Sequence, residues 1–85
     1  MEVIKLNHYT YILRSERDNR RYYIGYTTDL KKRLKKHNGG GVPSSSKFRP
    51  WYIETAISFL SKDKALAFEK YLKSHSGRAF AKKHF

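Results

Sequence analysis

Five side chains in this 85-residue chain have types and placings suited to acid–base or charge-stabilising chemistry: Tyr11, Tyr23, Arg33, His37 and Glu69. Glu69 is the sharpest anomaly. It lies in "SKDKALAFEKYLKSHSG", where Ala65, Leu66, Phe68 and Leu72 recur at helical spacing and fall on one side. Glu69 lands in the same stripe, four residues after Ala65 and three before Leu72. A carboxylate on an inward face is costly unless a cation or a metal meets it. One reading is an ion pair with Arg33 or a nearby lysine. The other is a Mg²⁺ ligand, because one carboxylate, waters and a substrate phosphate commonly complete that ion's shell.

The remaining four are ambiguous one by one. In "TTDLKKRLKKHN" a helix turns Leu30 and Leu34 inward and stacks Arg33 and His37 on one flank of that seam. Arg33 either grips a phosphate with its planar fork or covers apolar surface with its stem. His37 is either a proton carrier near neutral pH or a cation complementing the helix C-terminus. Tyr11 and Tyr23 sit in strand-like segments, as core filler, as a stacking platform for bases, or as a general base. The last role requires nearby cations or a metal to lower a phenol pKa near 10. Gly25, two residues after Tyr23, lets substrate or a neighbouring side chain approach the strand closely. Four scattered histidines and no cysteine give no zinc-ligand spacing.

These residues must be positioned by a small set of elements. "HYTYILR" (8–14) and "RYYIGYT" (21–27) read as strands joined by the polar turn "SERDN". Centring that hairpin near Arg17 puts Tyr11 opposite Tyr23 on one face, since side chains alternate along a strand. A helix over 27–38 follows, with Thr28 or Asp29 as N-cap and Asn38 and the three glycines at its end. Residues 39–50, "GGGVPSSSKFRP", read as a flexible loop whose Lys47 and Arg49 bind substrate. "WYIETAISFL" (51–60) is a third strand. Ser61 caps the helix carrying Glu69, Gly77 closes it, and "RAFAKKHF" forms a last basic helix anchored by Phe80. The expectation is a single α+β domain over residues 1–85, ordered β-β-α-β-α-α, with helices on a three-stranded antiparallel sheet.

Charge bounds the partners. Nineteen Lys and Arg against seven Asp and Glu give +12, which calls for a polyanion, nucleic acid before an anionic membrane or ribosomal RNA. No signal peptide, no apolar run of spanning length and no membrane-seeking amphipathic helix is visible, so a cytoplasmic protein is expected. The aromatics and the basic glycine–serine loop suit a nucleic-acid-binding module without catalysis as well as an enzyme.

Taken together, "YTY" (9–11), "YIG" (23–25) after eleven residues, "DLKKRLKKHN" (29–38) and the helical Glu69 resemble the GIY-YIG nuclease superfamily. The likeness spans roughly residues 7–75. It is nearest to the small bacterial single-domain members, which are related to the N-terminal nuclease domain of the nucleotide-excision-repair nuclease. The first motif reads Tyr-Thr-Tyr rather than Gly-Ile-Tyr but keeps its final tyrosine. The resemblance implies metal-dependent hydrolysis of DNA phosphodiester bonds, leaving a 5′-phosphate and a 3′-hydroxyl. It implies that Tyr11 deprotonates the attacking water, Tyr23 orients it or touches the phosphate, and Arg33 stabilises the transition state. His37 would help move or position a proton, and Glu69 would hold Mg²⁺ or Mn²⁺.

Overall fold

The computed structural model describes residues 7–85, and the first six residues of the expected 1–85 domain lie outside the described ones. The elements are β1 (His8–Ser15), β2 (Tyr22–Thr27), α1 (Leu30–Asn38), β3 (Trp51–Phe59), α2 (Lys62–Leu72) and α3 (His75–His84). The expected β-β-α-β-α-α order is therefore present. β1 is the central strand of an antiparallel sheet ordered β2-β1-β3.

The hairpin register differs from the expected one by two residues. Tyr11 pairs with Gly25, and Tyr23 pairs with Leu13. The cause lies in the turn, where the buried Ser15 hydroxyl accepts hydrogen bonds from the Arg17 and Asp18 amides. Ser15 also donates its own amide to the Arg21 carbonyl, which moves the centre of the hairpin to Asp18. A shift of two preserves strand parity, so Tyr11 and Tyr23 still share a face.

Alternation along β1 divides the molecule into two cores. Tyr11 and Leu13 pack with Trp51, Tyr23, Leu30, Leu34, Phe48 and Ile53 on one face. Ile12 packs on the other with Ile24, Leu72, Phe68, Phe80 and Ala81. β3 serves both. An irregularity skips Glu54, so Thr55 pairs with Ile12 but Ile53 pairs with Leu13. Trp51 and Ile53 thereby join the first core while Phe59 reaches Phe68 of the second, with ring centroids 5.8 Å apart.

Each helix starts on a side-chain cap. Asp29 accepts from the Lys32 amide, Ser61 from Lys64 and Ser74 from Gly77. Gly77 does not close α2. That helix ends at Leu72, and Gly77 lies in the first turn of α3, where a Cβ would collide with the Tyr71 carbonyl. Leu66 is exposed, so the buried stripe of α2 is narrower than expected and centres on Ala65 and Leu72. Between α2 and the sheet, the buried Thr10 hydroxyl donates to the Ala65 carbonyl at 2.6 Å.

Candidate active site

The site is built on the first face of the sheet. Tyr11 projects from β1 across β2, and its ring passes over Gly25, where any Cβ would run into the phenol. Gly25 was expected to admit substrate or a side chain. The side chain that makes this close approach is Tyr11. Tyr23 stacks beside Tyr11 with ring centroids 6.4 Å apart.

α1 closes over both rings. Its N-terminus is fixed by the Asp29 cap and its seam by Leu30 and Leu34, which brings His37, nearly two turns on, down onto the tyrosines. His37 is fully buried. Its Nε2 is hydrogen-bonded to the Tyr11 hydroxyl at 3.0 Å, and its ring meets the Tyr23 ring edge-on at 4.6 Å between centroids. On the far side, His37 Nδ1 is 2.7 Å from the Ser45 hydroxyl.

Electrostatics sets the resting protonation. Burial pushes Tyr11 up to about 12, outweighing the Arg33 guanidinium beside it, which pulls the phenol down. A general-base role was expected to need cations or a metal to lower a tyrosine, and Arg33 does pull Tyr11 down, by less than burial raises it. Desolvation wins because the hydroxyl is shut in behind α1. Burial also lowers His37 from its ordinary value, helped by the positive charges of Arg33 and Lys36. At neutral pH the pair is a protonated phenol facing a neutral imidazole.

Arg33 is half-buried and close enough to act on both Tyr11 and His37, the edge position expected from helical geometry. Glu69 sits within electrostatic reach of Tyr11, its negative charge raising the phenol's pKa. It is not deeply buried: its side chain is 21 % exposed, and its cationic neighbour is Lys73, one turn on, at 3.9 Å. No ion pair joins it to Arg33. A loose, solvent-facing pair of this kind contributes little.

A depression of about 350 Å³ bordered by Tyr22, Tyr23, Ser44, Lys73 and Arg78 opens beside the tyrosines. A larger cavity of about 570 Å³ lies on the other face of the sheet, against Ile12, Ile24, Leu72 and α3, and is lined by none of the five candidate residues. Lys47 and Arg49 stand apart from the cluster. Both are exposed, with the Lys47 ammonium 5.6 Å from the Phe48 ring centre and the Arg49 guanidinium folded back against Gly40.

The loop that carries them is anchored, contrary to its composition. Ser45 is buried, its carbonyl accepts from Trp51 Nε1 at 2.9 Å, and the Phe48 carbonyl accepts from the Ser15 hydroxyl. Asn38 grips Trp51 twice, donating to its carbonyl at 3.0 Å and accepting from its amide at 2.6 Å. Ser45 and Asn38 are thus parts of the site's frame that the sequence reading passed over. Nothing in the tract Ser44-Ser45-Ser46 singles out its middle residue.

Comparison with known proteins places this arrangement. The model of the GIY-YIG catalytic domain matches residues 7–83. The chain belongs to the GIY-YIG family. A UPF0213 protein of Halalkalibacterium halodurans is 38% identical over 74 residues, covering 86% of this chain and 77% of the relative. The UPF0213 protein YazA of Bacillus subtilis is 41% identical over 68 residues, covering 79% and 67%. The structure-specific endonuclease subunit SLX1 of Candida dubliniensis is 44% identical over 69 residues, covering 73% of this chain but only 24% of that protein. Among solved structures, the solution NMR structure of the UPF0213 protein from Bacillus halodurans matches with a TM-score of 0.54 at 36% identity, over 89% of this chain and 80% of the other. This GIY-YIG chain therefore has the fold its motifs implied, including the variant first motif Tyr9-Thr10-Tyr11. Among the described residues no helix is long and apolar enough to cross a membrane.

Proposed function

We propose that this GIY-YIG domain is a divalent-metal-dependent endonuclease acting on DNA, with Tyr11 as general base. The observation that carries the reading is the buried Tyr11–His37 hydrogen bond beside Arg33. A phenol pushed up to about 12 does not ionise by itself at neutral pH, so it needs an acceptor for its own proton. Neutral His37 is that acceptor. As the attacking water gives a proton to the Tyr11 oxygen, the phenolic proton passes to His37 Nε2. The resulting hydroxide attacks phosphorus, the P–O3′ bond breaks, and the 3′-oxygen takes a proton from solvent, leaving a 5′-phosphate and a 3′-hydroxyl.

Arg33 places a fixed positive charge where negative charge grows on the phosphoryl oxygens. Tyr23, stacked between Tyr11 and the opening at the β2 edge, orients the water or the phosphate. Lys73 and Arg78 line the adjoining depression, and a net charge of +12 supports a polyanionic substrate. Lys47 and Arg49 contact the phosphate backbone away from the reacting bond.

Glu69 is the residue that would hold the metal. No group of three or more His, Cys, Asp or Glu side chains suited to a metal exists among the described residues, which disfavours a closed structural site. One partly exposed carboxylate with a weak lysine partner fits a hard cation whose other ligands are water and substrate oxygens. A bound Mg²⁺ or Mn²⁺ would supply positive charge to the scissile phosphate and its leaving oxygen.

The test is cleavage of labelled duplex, single-stranded and branched DNA with Mg²⁺, Mn²⁺ or EDTA, beside Glu69→Gln. Metal-dependent cutting lost in Glu69→Gln is the expected result. Tight binding without cutting under any metal would instead make this a nucleic-acid-binding module.

A further inference from the structure

We propose that Ser45 is a positioning residue that locks His37 in the Nδ1–H tautomer, so that Nε2 faces Tyr11 as a bare acceptor. The inference deepens the nuclease reading and depends on it for its purpose, though not for its chemistry.

The chain Val42–Ser45–His37–Tyr11 has few protons to share. A serine hydroxyl has one proton and two lone pairs. The Ser45 hydroxyl donates to the Val42 carbonyl at 3.2 Å, and a carbonyl can only accept. The sense of the 2.7 Å contact between Ser45 Oγ and His37 Nδ1 is decided at the far side of the ring. There the buried Tyr11 hydroxyl has no acceptor among the described residues except His37 Nε2, so the phenol donates to it and Ser45 Oγ accepts from Nδ1. Nδ1 therefore carries the hydrogen, and a neutral imidazole has no second one for Nε2.

The opposite tautomer would fail at the phenol. Nε2–H would occupy the phenol oxygen that must receive the water's proton. The buried phenol proton of Tyr11 would then face no acceptor among the described residues, an arrangement proteins avoid. In the structure no buried side-chain nitrogen or oxygen lacks a partner among the described residues.

Ser45 is held in register with His37 by the surrounding frame. Its amide donates to Val42 at 3.1 Å, and its carbonyl accepts from Trp51 Nε1. Trp51 is in turn gripped by Asn38, the residue after His37. Loop, strand and helix end thus move as one piece around the imidazole.

The test combines spectroscopy and kinetics on the full chain. Long-range ¹H–¹⁵N spectra of ¹⁵N-histidine protein, at mildly alkaline pH, report which ring nitrogen is protonated, and the His37 signals are assigned by their loss in His37→Asn. The expected result is Nδ1–H in the wild type and in Ser45→Thr, with a mixed or reversed tautomer in Ser45→Ala. Cleavage by Ser45→Ala should fall about 10–100-fold in kcat, the usual cost of losing a histidine's outer partner, with KM unchanged. Ser45→Thr should restore it. Nε2–H in the wild type overturns the proposal, and that reading needs no variant to fold. So does a Ser45→Ala protein with unaltered tautomer and full kcat. A wild type that shows the Ser45-dependent Nδ1–H form yet cuts no DNA supports the Ser45 assignment and sinks the nuclease reading.

Discussion

Tyr11 and Ile12 are adjacent in β1 and leave the strand on opposite sides, into surroundings of different kinds. Ile12 enters a cluster of Ile24, Leu72, Phe68, Phe80 and Ala81, where packing is shape and area. Tyr11 enters a pocket where a histidine, a serine and a tryptophan are buried with their polar atoms paired in series. An apolar cluster tolerates volume-conserving exchange, with losses that scale with what is removed. A buried polar chain does not, because breaking one bond strands the next partner without water. One face of the sheet supplies stability, and the other holds a defined set of protons.

The largest effect that would sharpen this contrast is expected from Tyr11→Phe. Loss of one hydroxyl should lower turnover by about 10²–10⁴-fold, the range for removing a general base, with DNA affinity retained. Undiminished cleavage would remove Tyr11 from its role. Arg33→Ala should cost about 10²–10³-fold in kcat, as for other transition-state charge donors, and single-turnover rates would check it. Ile12→Ala, one position from Tyr11, should do the reverse. Denaturant titration should show a loss of about 2–5 kcal/mol, while the folded fraction keeps its specific turnover within about twofold. A large drop in turnover per folded molecule would break the division between the faces.

A smaller effect distinguishes the faces by pH. His37 is lowered in the folded state, so between its folded pKa and the ordinary value the unfolded chain binds a proton that the native one does not. Stability should therefore fall as pH drops through that window and recover as pH rises. His37→Gln should remove that part of the slope in thermal melts taken across mildly acidic pH. An unchanged slope would mean that the imidazole is charged in the fold. Least of all, Lys47→Ala or Arg49→Ala should leave kcat within about threefold and reduce the salt slope of DNA binding by about one unit each.

Most of the fold was legible because each element carries its own local signal. Ser61 was read as a cap and Asp29 as one of two candidates with Thr28, and Asp29 and Ser61 do cap their helices. The alternation in "HYTYILR" put Tyr11 and Tyr23 on one face despite a two-residue error in register. That error arose because turn centring depends on Ser15, whose hydroxyl acts through three-dimensional closeness and leaves no periodic trace. The same holds for Ser45 and Asn38. Each matters because of a partner several residues off whose approach only the folded loop creates. The burial that raises Tyr11 was not legible for a related reason, since composition reports charge but not how deeply a hydroxyl is enclosed.

The Thr10 hydroxyl and the Ala65 carbonyl have a bearing on moving this site to another scaffold. Thr10 precedes Tyr11, and Ala65 lies one helical turn before Glu69, so their 2.6 Å bond ties the strand bearing the one to the helix bearing the other. A graft that copied only the tyrosines, the arginine and the glutamate would leave α2 free to slide along the strand. A graft that also carries the threonine, and a backbone carbonyl to receive it, transplants the spacing along with the side chains.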